Sequence, residues 1–228
     1  MAKPQREFVQ NQVFVGLPWK NVRPRYDKII ARLEKKFPLY FTIVGRDDGQ
    51  GADDLLQVIK SRVFASSWAI FDATGGNANV SLEYGYAEGV DVPRAIFLST
   101  HKAAQSPVGS PIIADLSGKR RIQYKTEASL SAELHKFARE HAYTIRFENA
   151  FRAGSRSLSK GGKKTARALA LKLIHVLDGR SKVRRAEVVQ ALQAEGYRED
   201  AIGRMLKILH NGGVIVSSVG RYSDVRVA

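Results

Sequence analysis

Cysteine is absent from all 228 residues. That excludes disulfides, thiolate metal sites and cysteine nucleophiles, and it fits a reducing cytoplasm. Long apolar runs are also missing, since none approaches the roughly 20 residues needed to cross a bilayer. The N-terminal "MAKPQREFVQNQ" lacks the apolar centre of a secretory signal. A cytoplasmic protein with no membrane partner is expected. His101, His135, His141, His175 and His210 are scattered without metal-binding spacing, so no metal or other cofactor is expected. "GLPWKN" (16–21) lacks the G-K-[ST] ending of a phosphate-binding loop.

Acid is scarce too: 22 Asp and Glu stand against 37 Lys and Arg, a net charge of +15. The imbalance is uneven. Residues 1–150 carry 21 basic and 16 acidic side chains, a net +5; residues 151–228 carry 16 and 6, a net +10. The smaller part holds most of the excess, which points to a polyanion such as DNA or structured RNA. Hydrophobic residues at 44% allow a real core and exclude wholesale disorder.

Two periodicities alternate through the first 145 residues. Apolar, β-branched runs at 12–17, 39–45, 68–73 and 94–100 read as buried strands, and 121–125 as a weaker fifth. Helical spacing marks 23–37, 53–67 (with Asp53 as cap), 79–89 and 129–143. "SGKRRIQYK" (117–125) reads as a charged edge strand or a phosphate contact. Alternating strands and helices imply right-handed crossovers and a parallel sheet. The predicted fold is α/β and flavodoxin-like, with five parallel strands in the order 2-1-3-4-5. Its ligand edge lies beyond the carboxyl ends of the strands, at Gly16–Trp19, Arg46–Asp48, Asp72–Asn79 and Ser99–His101.

Composition changes at "RAGSRSLSKGGKK" (152–164), where Gly, Ser and basic residues crowd together. The predicted layout is an α/β domain over 1–150, a basic linker over 151–164 and a small domain over 165–228. In the last, helices at 165–179, 184–196 and 198–213 precede an alternating segment around Gly220. Three helices and a hairpin form a winged helix-turn-helix pattern. Its nucleic-acid contacts would be Arg184, Arg185, Arg198, Arg204, Lys207, Arg221, Tyr222 and Arg226. These side chains suit phosphates better than base edges, so low sequence specificity is expected. A winged helix used for protein contacts or dimerisation is the competing reading.

The stretch with most chemistry is "FDATGGNANVSLEYGYAEG" (71–89). Asp72 closes the third strand and is expected to project into the cleft. Gly75 and Gly76 permit positive φ and close ligand approach. Asn77 and Asn79 offer amides or a helix cap, and the helix N-terminus favours an anion. Glu83 lies one turn in, among Leu82, Tyr84 and Tyr86, where desolvation would raise its pKa. One acid attacking a sugar carbon while another holds the sugar is sound glycosidic chemistry. Equally, Asp72 could only anchor the turn and Glu83 only favour a helix start.

"VSLEYGYAEG" resembles the nucleophile helix of the nucleoside 2-deoxyribosyltransferase family. Residues 72–85 also resemble the D-x-[ST]-G-x-N-x-N-V-x-x-E-x-G stretch of bacterial nucleotide-binding domains related to that family and to TIR domains. The resemblance implies that Glu83 is the catalytic carboxylate and that Asp72 and Asn77 contact the sugar or position Glu83. Gly16 and Trp19 would meet the base, Trp19 by stacking. Where this chain has Asn77, transferases of the family often carry an acid; the departure favours hydrolysis or binding alone. The implied activity is N-glycosidic cleavage of a nucleotide-type ligand, with NAD among the candidate substrates. The pairing with a basic winged helix resembles retron toxin effectors of antiviral defence, and implies a reverse transcriptase with its small DNA as a partner. The alternatives are a nucleotide-sensing DNA-binding regulator and a base-removing DNA-modifying enzyme.

Overall fold

The computed structural model describes residues 6–18, 22–44, 55–101, 121–180, 182–217 and 224–228. Its main sheet contains β1 (Val9–Gly16), β2 (Tyr40–Thr42), β3 (Ser66–Asp72), β4 (Arg94–Ser99) and β5 (Arg121–Tyr124). The strand order is β2-β1-β3-β4-β5, the flavodoxin-like order predicted above. β3 and β4 pair in parallel, as do β4 and β5. Val13, Phe14, Ile70, Phe71 and Phe97 are buried almost completely, as expected of strands covered on both faces.

Helices α1 (Arg23–Glu34), α2 (Leu55–Ala65), α3 (Ala78–Gly89) and α4 (Glu127–Glu140) accompany this sheet. Phe14, Ala69, Phe71 and Ala73 form one core cluster with Val63 of α2 and Val80, Tyr84 and Ala87 of α3. Along β3, side chains alternate between faces. Asp72 therefore points the other way from Phe71, toward Tyr26 of α1. On that second face Lys28 of α1 bridges Glu127 of α4 at 3.0 Å.

The rest of the chain comprises α5 (Ala142–Gly154), α6 (Lys160–Val176), β6 (Val183–Arg184), α7 (Arg185–Ala194), α8 (Glu199–Asn211), β7 (Ile215–Ser217) and β8 (Asp224–Val227). The last strands form an antiparallel sheet of order β6-β8-β7. The three helices expected in this part are present, and α6 begins five residues earlier than its apolar period suggested.

The stretch 152–164 differs from its reading as a linker. It is the end of α5, a short turn and the first turn of α6. Ser159 caps α6 through its hydroxyl, which accepts from Gly162 N at 3.2 Å. Gly154 is a packing residue: an added Cβ would lie 2.5 Å from Ile208 of α8. Ala150 likewise occupies the space a side chain at Gly212 would need. A composition that looks flexible is here a close helix crossing, where small residues let backbones approach.

The chain accordingly divides elsewhere. One compact unit takes 1–8, 12–33 and 41–137; the other takes 9–11, 34–40 and 138–228. The main break falls after Phe137, because α5 packs with the C-terminal helices. Among the described residues no helix is long and apolar enough to cross a membrane.

Candidate functional site

β3 ends at Asp72, and the chain turns through Thr74, Gly75 and Gly76 into α3. Gly75 has φ 77° and Gly76 φ 64°, the left-handed region that glycine enters without strain. Asn77 caps α3: its side-chain oxygen accepts from Asn79 N at 2.9 Å and Val80 N at 3.4 Å. Of the alternatives the sequence left open for Asn77, the cap is the one made. Asn79 is exposed in the first turn.

Asp72 departs from expectation. It does not project into an open cleft but is fully buried. Its Oδ2 accepts from the hydroxyls of Tyr26 at 2.9 Å and Tyr124 at 2.7 Å, and its Oδ1 accepts from Thr74 N at 2.9 Å. Burial pushes its pKa up, and these hydrogen bonds oppose the shift. Burial and the Asp72 charge hold both tyrosines firmly as phenols. Thr74 extends the network: its hydroxyl accepts from Ser99 N at 2.8 Å and ties the end of β4 to the turn. Asp72 thus pins α1, β5 and the β3 turn together.

Glu83 is the opposite case. Helical spacing sets it one turn beyond Val80 and one before Ala87, both buried against the sheet. The carboxylate reaches the end of β1, where its Oε2 occupies the space a Cβ on Gly16 would fill. Phe71 closes the same space, its ring carbon 2.8 Å from that position. Phe71 in turn meets Tyr84 edge-on, with ring centroids 5.5 Å apart. Glu83 Oε2 is buried and has no hydrogen-bond partner among the described residues. Desolvation raises the pKa of this group to about 7. A glycine at 16 is therefore required by Glu83 itself.

No family model matches the chain, and no curated protein matches it. The chain is similar to a solved structure, the 2-desoxiribosyltransferase from Leishmania mexicana. The identity is 14% and the TM-score 0.44, over 57% of this chain and 99% of that one.

The structure thus brings Gly16 and Glu83 together and sets Asp72 on the far face of β3. Trp19 lies outside the described residues, as do Arg46 to Asp48 and Asp53. Among the described residues no group of three or more His, Asp or Glu could hold a metal ion. Tyr26 and Tyr124 escaped the sequence reading as site residues. The available signal was that a tyrosine at a core position needs a partner for its hydroxyl.

Among the basic candidates, Arg184, Arg185, Arg198, Arg204, Lys207 and Arg226 are exposed. Arg221 and Tyr222 lie outside the described residues. Arg185 and Lys207 line one shallow cleft with Gly203, His210 and Ser217. Arg198 and Arg204 are both engaged by Asp200, each at 3.1 Å. Glu199 and Asp200 occupy the first turn of α8, which sets negative charge where a recognition helix would meet phosphates.

Proposed function

We propose that the first unit cleaves the C1′–N bond of a nucleotide-type ligand, with Glu83 as the nucleophile. The observation that carries this reading is the buried Glu83 oxygen without a partner. Native structures rarely leave a buried polar atom unsatisfied, and a carboxylate held without a cation or donor is matched to positive charge that arrives with the substrate. Breaking a C1′–N bond develops such charge on the sugar. The Glu83 oxygen attacks C1′; the C1′–N electron pair leaves with the base, which takes up a proton from water, or departs neutral without one where the nitrogen is already cationic, as in NAD. Water then attacks C1′ of the glycosyl-enzyme, loses a proton and frees the carboxylate. A pKa near 7 leaves a useful fraction ionised at neutral pH. Asp72 has a structural role in this scheme, holding the turn that leads into α3. Gly75 and Gly76 let the ligand approach the backbone, and Gly16 leaves room for the reacting oxygen.

We read the second unit as a winged helix that binds nucleic acid through phosphates. The element order α6-β6-α7-α8-β7-β8, the antiparallel hairpin and the basic surplus support this. A glycosidase joined to such a module fits an effector of antiviral defence, restrained by a reverse transcriptase with its small DNA. Binding without cleavage is favoured by two observations: Asn77 caps a helix and Asp72 is held by three hydrogen bonds, which leaves Glu83 as the one unengaged acid of this turn and helix among the described residues.

Incubating the purified protein with nucleosides, nucleotides and NAD, with chromatography for released base, tests the proposal. Release by the wild type that vanishes in Glu83→Gln is the expected result. Saturable calorimetric binding with no released base would establish the sensor instead.

A further inference from the structure

From Asn149 to Leu177 the chain has no acidic residue and seven Lys or Arg: 152, 156, 160, 163, 164, 167 and 172. Two are neutralised from outside the stretch, Arg167 by Glu148 at 2.7 Å and Lys172 by Glu195 at 2.9 Å. The other five, Arg152, Arg156, Lys160, Lys163 and Lys164, are exposed and have no ion pair among the described residues. The fold gathers them. α5 ends at Gly154, Leu158 N donates back to Ser155 O at 3.1 Å, and α6 starts at Lys160. Five unpaired cations therefore share one tight helix–helix corner inside the second unit.

This placement opposes local electrostatics. The first turn of a helix favours acids, because its free N–H groups carry partial positive charge. α6 has none there, and carries Lys160, Lys163 and Lys164 at its start. Positions 160, 163, 164 and 167 fall on one helix face. Gly161 adds no side chain, and a Cβ there would meet nothing within 4 Å, so a partner can approach the backbone closely.

We infer that the α5–α6 corner is a phosphate-backbone contact surface for a nucleic-acid duplex, stronger than the α8 surface. The inference rests on the nucleic-acid reading of this unit and moves its main contact to Arg152, Arg156, Lys160, Lys163 and Lys164. The comparison with α8 supports it, since Asp200 already engages Arg198 and Arg204 there. A membrane is the poorer occupant. The apolar residues of α6, Leu169, Leu171, Leu173 and Ile174, are buried and leave no face to insert.

The test uses the full chain, mixed-sequence duplex DNA and fluorescence anisotropy across a salt series. Replacing Lys160, Lys163 and Lys164 with Glu should weaken binding by about a hundredfold and reduce the salt slope by roughly three, close to one per lost contact. Replacing the same lysines with Gln should act in the same direction, less strongly. Arg204→Glu with Lys207→Glu should lower affinity less. Circular dichroism of each variant separates misfolding from lost contacts. An unchanged affinity and slope in the folded lysine variants overturns the corner alone. A wild type that binds no duplex but binds anionic vesicles overturns the nucleic-acid reading with it.

Discussion

The two faces of the sheet at the end of β3 each hold a desolvated carboxyl oxygen. On the α1 and α4 face, Asp72 receives three hydrogen bonds and stays where it is. On the α2 and α3 face, Glu83 presents an oxygen that receives none. Both groups are desolvated, so burial alone does not separate a structural acid from a reactive one. The difference lies in what surrounds the charge. A carboxylate satisfied by the fold contributes to the fold; one that the fold leaves unsatisfied lowers stability and is kept for something else. This is the usual direction of the trade between stability and activity.

The largest expected effect breaks the Glu83 side. Glu83→Gln should lower base release by about a thousandfold or more, since a neutral amide cannot trap the sugar cation. The same change should leave the protein no less stable at alkaline pH. Burial raises the folded pKa of Glu83 above its unfolded value, so its favourable contribution is present below about 4.5 and lost as pH rises through about 7. At pH 8 the ionised group is a liability of about 1–2 kcal/mol after discounting for solvent near a half-buried side chain. Thermal melts of both proteins at pH 5 and pH 8 check the sign. A variant that is inactive and destabilised equally at both would make Glu83 a structural acid like Asp72. The pH–rate profile sharpens the point: activity should rise through pH 7 as Glu83 ionises.

Gly16→Ala should come next. Its Cβ would overlap Glu83 Oε2 and the Phe71 ring, so the carboxylate must move. Turnover should fall by roughly ten- to a hundredfold, and stability by about 1–3 kcal/mol. An active Gly16→Ala enzyme would mean that the reacting oxygen does not need this position.

On the opposite face, the phenylalanine variants of Tyr26 and Tyr124 should act through stability. Each removes one donor to a buried carboxylate, at about 1–3 kcal/mol, and the pair together should exceed either alone. Activity per folded molecule should change far less than in Glu83→Gln. A profound loss of turnover in a stable Tyr124→Phe protein would place Asp72 in the chemistry and end the contrast.

Much of this arrangement was legible beforehand. Strand order followed from alternating periods, and the need for glycine at 75 and 76 followed from a turn between a strand and a helix. The partial burial of Glu83 followed from its apolar neighbours. The state of Asp72 did not, because its partners lie far off in the chain, on a helix and on an edge strand. Such pairings leave no local mark. Nor did the role of Gly16, which is set by a side chain from α3. The stretch 152–164 misled for a different reason. Gly154 looks like a flexible residue until Ile208 is seen against it, and Ser159 looks like linker until its hydroxyl is seen capping α6.

A third ionisable group, in the second unit, extends the comparison to a positive charge and carries the smallest expected effect. His175 Nε2 lies 2.6 Å from Glu34 O, and Nδ1 lies 2.6 Å from Asp178 Oδ2. A carbonyl and a carboxylate can only accept, so both contacts are hydrogen bonds when the ring is protonated, and the pair favours that form. Asn11 Nδ2 holds the other Asp178 oxygen at 2.7 Å. Burial alone would lower the pKa of His175; the bonds to Asp178 and Glu34 outweigh it and raise the value. Like Asp72, this charge is satisfied by the fold and should stabilise it. Because the folded pKa lies above the unfolded one, the contribution is full below the ordinary histidine range and is lost as pH rises through the folded value. His175→Gln should therefore cost about 1 kcal/mol at pH 6 and less at pH 9. Denaturant unfolding at the two pH values reads this directly. A penalty that does not shrink at pH 9 would mean that shape, and not charge, holds His175 in place.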